Sequence, residues 1–168
     1  MYYHQFGADF DSDTLIFGDQ YDPSVFIGAS LSEDRRYLRI GVYYGSGGKK
    51  SEIHVMDVAN NGPVVTVIDG IDAAFYGGIV DDKMYIQTNY KAPNWCLYRT
   101  DLANPGLENW ELIVPESEAV MNYYGPAGGR LYVSYLENVS SKVKIFDADG
   151  KYIDDLKLPT LGSVSGVW

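Results

Sequence analysis

A chain of 168 residues has the length of one ordinary domain, and its formal charge of −10 with a pI near 4.5 argues against nucleic acid as a partner, since phosphate binding needs clustered Lys and Arg. No apolar run approaches the roughly 20 residues that span a bilayer, and the first residues lack a charged-then-apolar signal pattern, so a soluble segment without a membrane partner is expected. Tyr (15) and Gly (18) are abundant while apolar residues at helical spacing are scarce, which predicts an all-β fold of strands and tight turns.

Residues 1–22 predict a hairpin, with YYHQF and TLIF as strands around a polar Gly/Asp loop, the outer strands of a preceding unit. Four strands follow in residues 23–70: SVFIGASL, RYLRIGVYY, SEIHVMDV and VVTVID. Residues 71–117 repeat the order with DAAFYGGIV, KMYIQTNY, WCLYRTDL and WELIVP, and residues 118–160 repeat it with AVMNYYGPA, RLYVSYL, SKVKIFDA and KYIDDLKLP. Residues 161–168 read as the first strand of a further unit. A basic residue enters the second strand of each unit near a tyrosine (Tyr37, Tyr85, Tyr132), and an aspartate closes the third (Asp57, Asp101, Asp147). The tyrosines are 48 and 47 apart, the aspartates 44 and 46.

In RYLRIGVYY, Leu38, Ile40 and Val42 share one face while Tyr37 and Tyr43 keep the other from being simply polar. Sheets apolar on both faces must be covered on both. Four-stranded antiparallel sheets recurring every 40 to 50 residues describe β-propeller blades, here about three complete blades with strands of two incomplete ones. A β-sandwich with coincidental spacing is the alternative. An incomplete ring is expected to expose blade faces and so to self-associate.

The sequence carries little chemistry. Gly162-Ser163-Val164-Ser165-Gly166 puts valine where a nucleophile elbow needs serine. His4 and His54 lie on predicted strands with no nucleophile at suggestive spacing, so structural roles are expected. Asp9, Asp11 and Asp13 alternate as in a calcium loop, but Thr14 and Gln20 stand where glycine and glutamate are required, which favours a solvated hairpin loop. The single cysteine, Cys96, reads as a buried filler beside Trp95 and excludes an intrachain disulfide framework. Asn138-Val139-Ser140 matches a glycosylation acceptor, a pattern common by chance. GSGGKK (45–50) lacks phosphate-loop spacing and joins two strands. No metal or other cofactor is implied.

Particular strings carry more. YYHQFG, then TLIFGD, then DPSVFIGASLSEDRRYL, followed by APNWCLYRTDLANP, ENWELIVPESE and GGRLYVSYLENVSSKVKIFDADGKYIDDLKLPTLGSVSG, resemble the propeller of the prolyl oligopeptidase family in order and separation. The resemblance spans essentially the whole chain. It implies a central part of an N-terminal seven-bladed propeller. That propeller would shield the active site of an α/β-hydrolase domain in the same parent chain, a serine endopeptidase cleaving short proline-containing peptides. No triad position falls here, so the segment itself is expected to be catalytically silent. The expected compartment is the cytoplasm, or the periplasm should a signal peptide precede the parent.

Two positions carry over one at a time. Phe26, three residues after Pro23, stands where the family has a methionine lining the substrate pocket. Ser46, after Gly45, stands where mammalian members have a cavity-facing cysteine. Phe26 as an inter-blade core aromatic and Ser46 as a plain loop residue are the alternatives. Arg35 in SEDRRY replaces the family's usual glycine, which puts the turn geometry in question. A non-enzymatic propeller used only for protein interaction is the second functional reading; a continuation encoding a nucleophile elbow with later Asp and His would separate the two.

Overall fold

The computed structural model describes residues 1–46 and 48–165. A two-stranded ribbon of β1 (Tyr2–Tyr3) and β2 (Thr14–Leu15) is followed by three four-stranded antiparallel meanders. Sheet I is β3 (Phe26–Leu31), β4 (Tyr37–Tyr43), β5 (Ser51–Asp57) and β6 (Val64–Ile68). Sheet II is β7 (Phe75–Val80), β8 (Lys83–Thr88), β9 (Cys96–Asp101) and β10 (Glu111–Val114). Sheet III is β11 (Val120–Ala127), β12 (Arg130–Glu137), β13 (Ser140–Asp147) and β14 (Tyr152–Leu156). No α-helix occurs among the described residues.

The period-2 pattern explains how the sheets stack. On β4, Ile40 and Val42 bury against Phe17 of the N-terminal segment, while Tyr37 turns the other way and joins Ile53, Val55, Phe75, Met84 and Ile86 between sheets I and II. A second core holds Tyr85 and Leu97 of sheet II with Met121, Leu131, Val133 and Tyr135 of sheet III. Sheets I and II are thus apolar on both sides because each side meets a neighbour.

The register revises the repeat. Across the ladders Asp57 faces Tyr37, Asp101 faces Lys83 and Asp147 faces Arg130. The equivalent positions are therefore 37, 83 and 130, and Tyr85 and Tyr132 sit two residues further along their strands than Tyr37. A shift of two keeps a side chain on the same face, which is why the tyrosine spacing still marked the units. The basic residues do meet the aspartates: Arg36 Nη2 lies 3.2 Å from Asp57 Oδ2 and Lys83 Nζ 3.5 Å from Asp101 Oδ2.

Polar stitches join successive units. Ser51 donates its N–H to Ala73 O and accepts from Phe75 N at its Oγ. Ser141 makes the same pair with Gly162 O and Val164 N, so Val164 docks on sheet III as Phe75 docks on sheet I. Residues 161–165 nevertheless form no strand, and 166–168, where the expected strand ends, lie outside the described residues. Arg99 of sheet II reaches Ala148 O at 2.7 Å and Asp149 at 2.9 Å on sheet III.

The N-terminal hairpin is shorter than YYHQF and TLIF suggested. Phe6 is fully exposed, with no apolar surface opposite it, and Gly7 at φ 84 with the Ala8 N to Gln5 O bond turns the chain away. His4 consequently lies outside β1. It bonds Asp13 at 2.6 Å and stacks on Phe10. Asp9 caps the 3-10 turn Phe10–Ser12, so the alternating aspartates serve the loop itself.

Candidate functional site

One end of the stack gathers the starts of β3, β7 and β11 with the loops that join β4 to β5, β8 to β9 and β12 to β13. Phe26 opens β3 there, pairs with Tyr43 across the ladder and is 61% exposed. It is not part of the buried core between sheets. Ser46 is exposed in the turn after β4, three residues beyond Tyr43. Both sites therefore lie at the same end of sheet I, joined through Tyr43.

Tyr43 has a fixed pose. Gly28 and Gly41 face each other across β3 and β4, and a Cβ on Gly41 would lie 2.5 Å from the Tyr43 hydroxyl and 2.8 Å from the nearest ring carbon. The ring lies along a glycine floor that a methyl group would fill. From there its hydroxyl accepts from Arg39 Nη1 at 3.4 Å, while Arg39 Nε donates to Ser30 Oγ at 3.1 Å. Tyr43 stacks on Tyr76 of β7 at 6.3 Å, and Tyr76 on Trp95 at 5.7 Å with 19° between planes. A row of aromatic surfaces thus runs from sheet I to sheet II. Beyond it a hollow of about 400 Å³ is lined by Tyr76, Gly78, Gln87, Asn122, Tyr123 and Pro126. Burial pushes the Tyr124 phenol up, and it donates to Tyr85 O at 2.7 Å as a structural tie.

Other polar clusters are self-satisfied. On β5, Glu52 accepts from Tyr21 and Tyr44, each at 2.7 Å, and His54 Nδ1 meets Thr66 Oγ1 at 3.1 Å. The bond to Glu52 raises the Tyr44 phenol to about 12, while burial lowers His54 below the ordinary histidine range. A hollow of about 430 Å³ at the opposite end of the sheets contains Arg36, whose charge is spent on Asp57 and on Asp82 at 2.7 Å. Cys96 is buried and its thiol is pushed up to about 11 by desolvation, which makes it inert. Among the described residues no group of three or more His, Cys, Asp or Glu is placed to hold a metal. His4 and His54 have Asp13, Thr66, Tyr21 and Glu52 as partners and no serine.

The sequence singles out Phe26 and Ser46 as candidates, and the structure adds Arg39, Tyr43, Tyr76 and Trp95 at the same end of the sheets. A local signal existed: glycine two residues before a tyrosine on one strand face, with a second glycine across the ladder. The Tyr76 and Trp95 contacts depend on how two sheets meet, which no single strand encodes.

Comparison with known proteins gives a consistent picture. The family described as prolyl oligopeptidase, N-terminal beta-propeller domain, matches residues 1–168. A prolyl endopeptidase of Elizabethkingia meningoseptica is 30% identical over 99% of this chain and 23% of its own length, and one of Dictyostelium discoideum is 27% identical over 98% and 24%. Among solved structures, a chain from a study of two prolyl endopeptidases and the role of inter-domain dynamics in catalysis and specificity superposes with TM-score 0.86 at 26% identity, covering 96% of this chain and 24% of that one. Prolyl oligopeptidase B of Galerina marginata shares the fold at TM-score 0.80 and 22% identity, over 98% of this chain and 24% of that one. The chain spans about a quarter of the length of these relatives.

Proposed function

Because this chain belongs to the prolyl oligopeptidase family, as part of its N-terminal β-propeller domain, we propose that it is a segment of the lid of a serine endopeptidase, limiting entry to short proline-containing peptides. The catalytic partner is an α/β-hydrolase domain of the same parent chain. In the parent, the closed site excludes water while an activated serine performs acyl transfer. The observation that carries the reading is the solvent-facing aromatic surface of Phe26, Tyr43 and Tyr76 at the very end of sheet I where the two pocket positions fall. Such a surface suits proline rings and apolar side chains, and Phe26 stays largely exposed among the described residues.

The segment alone supplies binding surface and no nucleophile, so a proline-containing chromogenic peptide is not hydrolysed by it. In the full-length peptidase, Phe26→Ala raises KM for a tetrapeptide by several-fold and leaves kcat within twofold, the signature of lost uniform binding. Turnover by the isolated chain above a mock purification would move the chemistry into this segment. An unchanged KM for Phe26→Ala and Ser46→Leu alike would remove both residues from the substrate path.

A further inference from the structure

Arg39 is a half-buried cation whose partners are hydroxyls. The chain carries 23 Asp and Glu against 13 Lys and Arg, and Arg36 and Arg99 are each clamped by two carboxylates. Arg39, by contrast, has no carboxylate within 4.0 Å among the described residues. Ser30 Oγ takes its Nε–H and Tyr43 Oη one Nη1–H, which leaves Nη2 without a protein acceptor among those residues. The two hydroxyls hold the guanidinium plane without neutralising it. On the same face of sheet I lie Phe26 and Tyr43, and Gly28 and Gly41, whose missing side chains let the Tyr43 ring lie flat beside Arg39.

We propose that Arg39, oriented by Ser30 and Tyr43, is a subsite for a peptide carboxylate, with the Tyr43 ring and Phe26 beside it taking an apolar or prolyl side chain. The proposal rests on the reading that this end of the sheet faces peptide, and adds to it a charge preference. A guanidinium presents paired N–H donors that match the two oxygens of a carboxylate. On a chain of net negative charge, a cation held in place without a carboxylate partner attracts an acidic group, so Arg39 adds a charge preference at its position. A free C-terminus and an Asp or Glu side chain offer the same group.

The test titrates the 168-residue chain with four N-acetylated proline-containing hexapeptides: one with a free C-terminus, its C-terminal amide, the amide carrying an internal Asp, and the amide carrying Asn there. At low ionic strength a carboxylate peptide binds roughly tenfold tighter than its neutral counterpart, as expected for a charge-assisted hydrogen bond gained. Preference for the free acid over its amide assigns a C-terminus, and preference for Asp over Asn assigns a side chain. Arg39→Gln erases the preference and Arg39→Lys keeps part of it, with circular dichroism checking that each variant is folded. The peptide-side comparison stands without any variant. Equal binding of all four peptides overturns the carboxylate subsite while leaving a peptide-facing surface in place. Absence of binding by all four to the folded chain overturns both, and a preference that survives Arg39→Gln overturns the subsite alone.

Discussion

At φ 62, Arg35 occupies the left-handed region that favours glycine, inside the four-residue loop between the paired Ser32 and Tyr37. The turn holds because Ser32 and Asp34 organise it: Ser32 Oγ donates to Asp34, Asp34 accepts from Arg36 N, and Tyr37 N donates back to Ser32 Oγ. The arginine thus changes the cost of the turn and leaves its geometry alone. Arg35→Gly removes a Cβ penalty of about 1 kcal/mol, so the urea midpoint is expected to rise with the slope unchanged; a lower midpoint would mean the arginine side chain contributes more than its backbone strain costs. Gly41 is the converse case, a strand glycine whose missing side chain is the floor under Tyr43. Gly41→Ala lifts that ring off and breaks its contact with Arg39. Global stability is expected to shift by less than about 1 kcal/mol, since a partly exposed ring can swing aside, whereas the nuclear Overhauser contacts between the Tyr43 ring and residues 28 and 41 disappear. Their persistence would show that the ring does not depend on the glycine.

Whole strands depend on polar contacts of the same local kind. Phe17 and Tyr21 hold the N-terminal segment on sheet I by packing on His54, at 4.7 Å between the Phe17 and His54 rings, and by the Tyr21 bond to Glu52. Burial keeps the folded-state pKa of His54 below the usual 6.5. The unfolded chain therefore takes up its proton first, so this contribution is complete above about pH 6.5 and declines as the pH falls below it. Thermal midpoints are expected to drop between pH 7 and pH 5, and His54→Gln to flatten that slope; an identical slope in the variant would place the titration elsewhere. The hairpin β12–β13 offers an independent check. Its two-residue loop is Asn138-Val139, both at positive φ (47 and 63), where β-branched valine is strained and Asn-Gly is preferred. Val139→Gly is expected to stabilise by about 1 kcal/mol, read as a higher urea midpoint, and a destabilised variant would contradict the strain. These cases mark what the sequence makes legible. Alternation located the strands of the three sheets and the faces of Ile40, Val42 and Tyr37, because burial on a pleated strand has a period of two. The register of Tyr37 against Asp57, two residues out of step with Tyr85, stayed hidden because a two-residue slip leaves every face unchanged. YYHQF alternates no worse than a true strand, yet it pairs only at Tyr2 and Tyr3, since pairing is decided by what lies opposite. Phe26 and Ser46 came from family strings, while Arg39 and the aromatic row emerge only where β3, β4 and β7 converge.

Across the whole chain, the three sheets cohere through two apolar cores and through charged ties at their edges, Arg36 to Asp82 from sheet I to II and Arg99 to Asp149 from II to III. The outward face of sheet III meets no further sheet among the described residues, only the segment that docks on Ser141 through Gly162 and Val164. On β12, Leu131, Val133 and Tyr135 point into the core with sheet II, so Tyr132, Ser134 and Leu136 point the other way. Leu136 and Leu156 are exposed there, and the Ser134 hydroxyl is buried with no hydrogen-bond partner. At the other end Tyr2, Tyr3, Phe6 and Phe10 are exposed together. Apolar area left in water forfeits roughly 25 cal/mol for each Å² that a neighbouring surface would bury, and both ends of the stack carry it. A second copy of the chain supplies matching sheet faces, and a contact between unlike ends leaves a free end for the next copy. The 168-residue chain is therefore expected to self-associate, its weight-average sedimentation coefficient rising from micromolar to millimolar protein. Leu136→Glu places a charge on one exposed face and should shift that rise to higher concentration, while leaving the thermal midpoint of the dilute protein nearly unchanged. A coefficient that stays monomeric across the range would show that the chain covers these faces by itself, by folding residues 157–165 closer over Leu136 and Leu156 or by closing the N-terminal ribbon onto the other end, and intramolecular contacts would then replace the assembly argued from exposure.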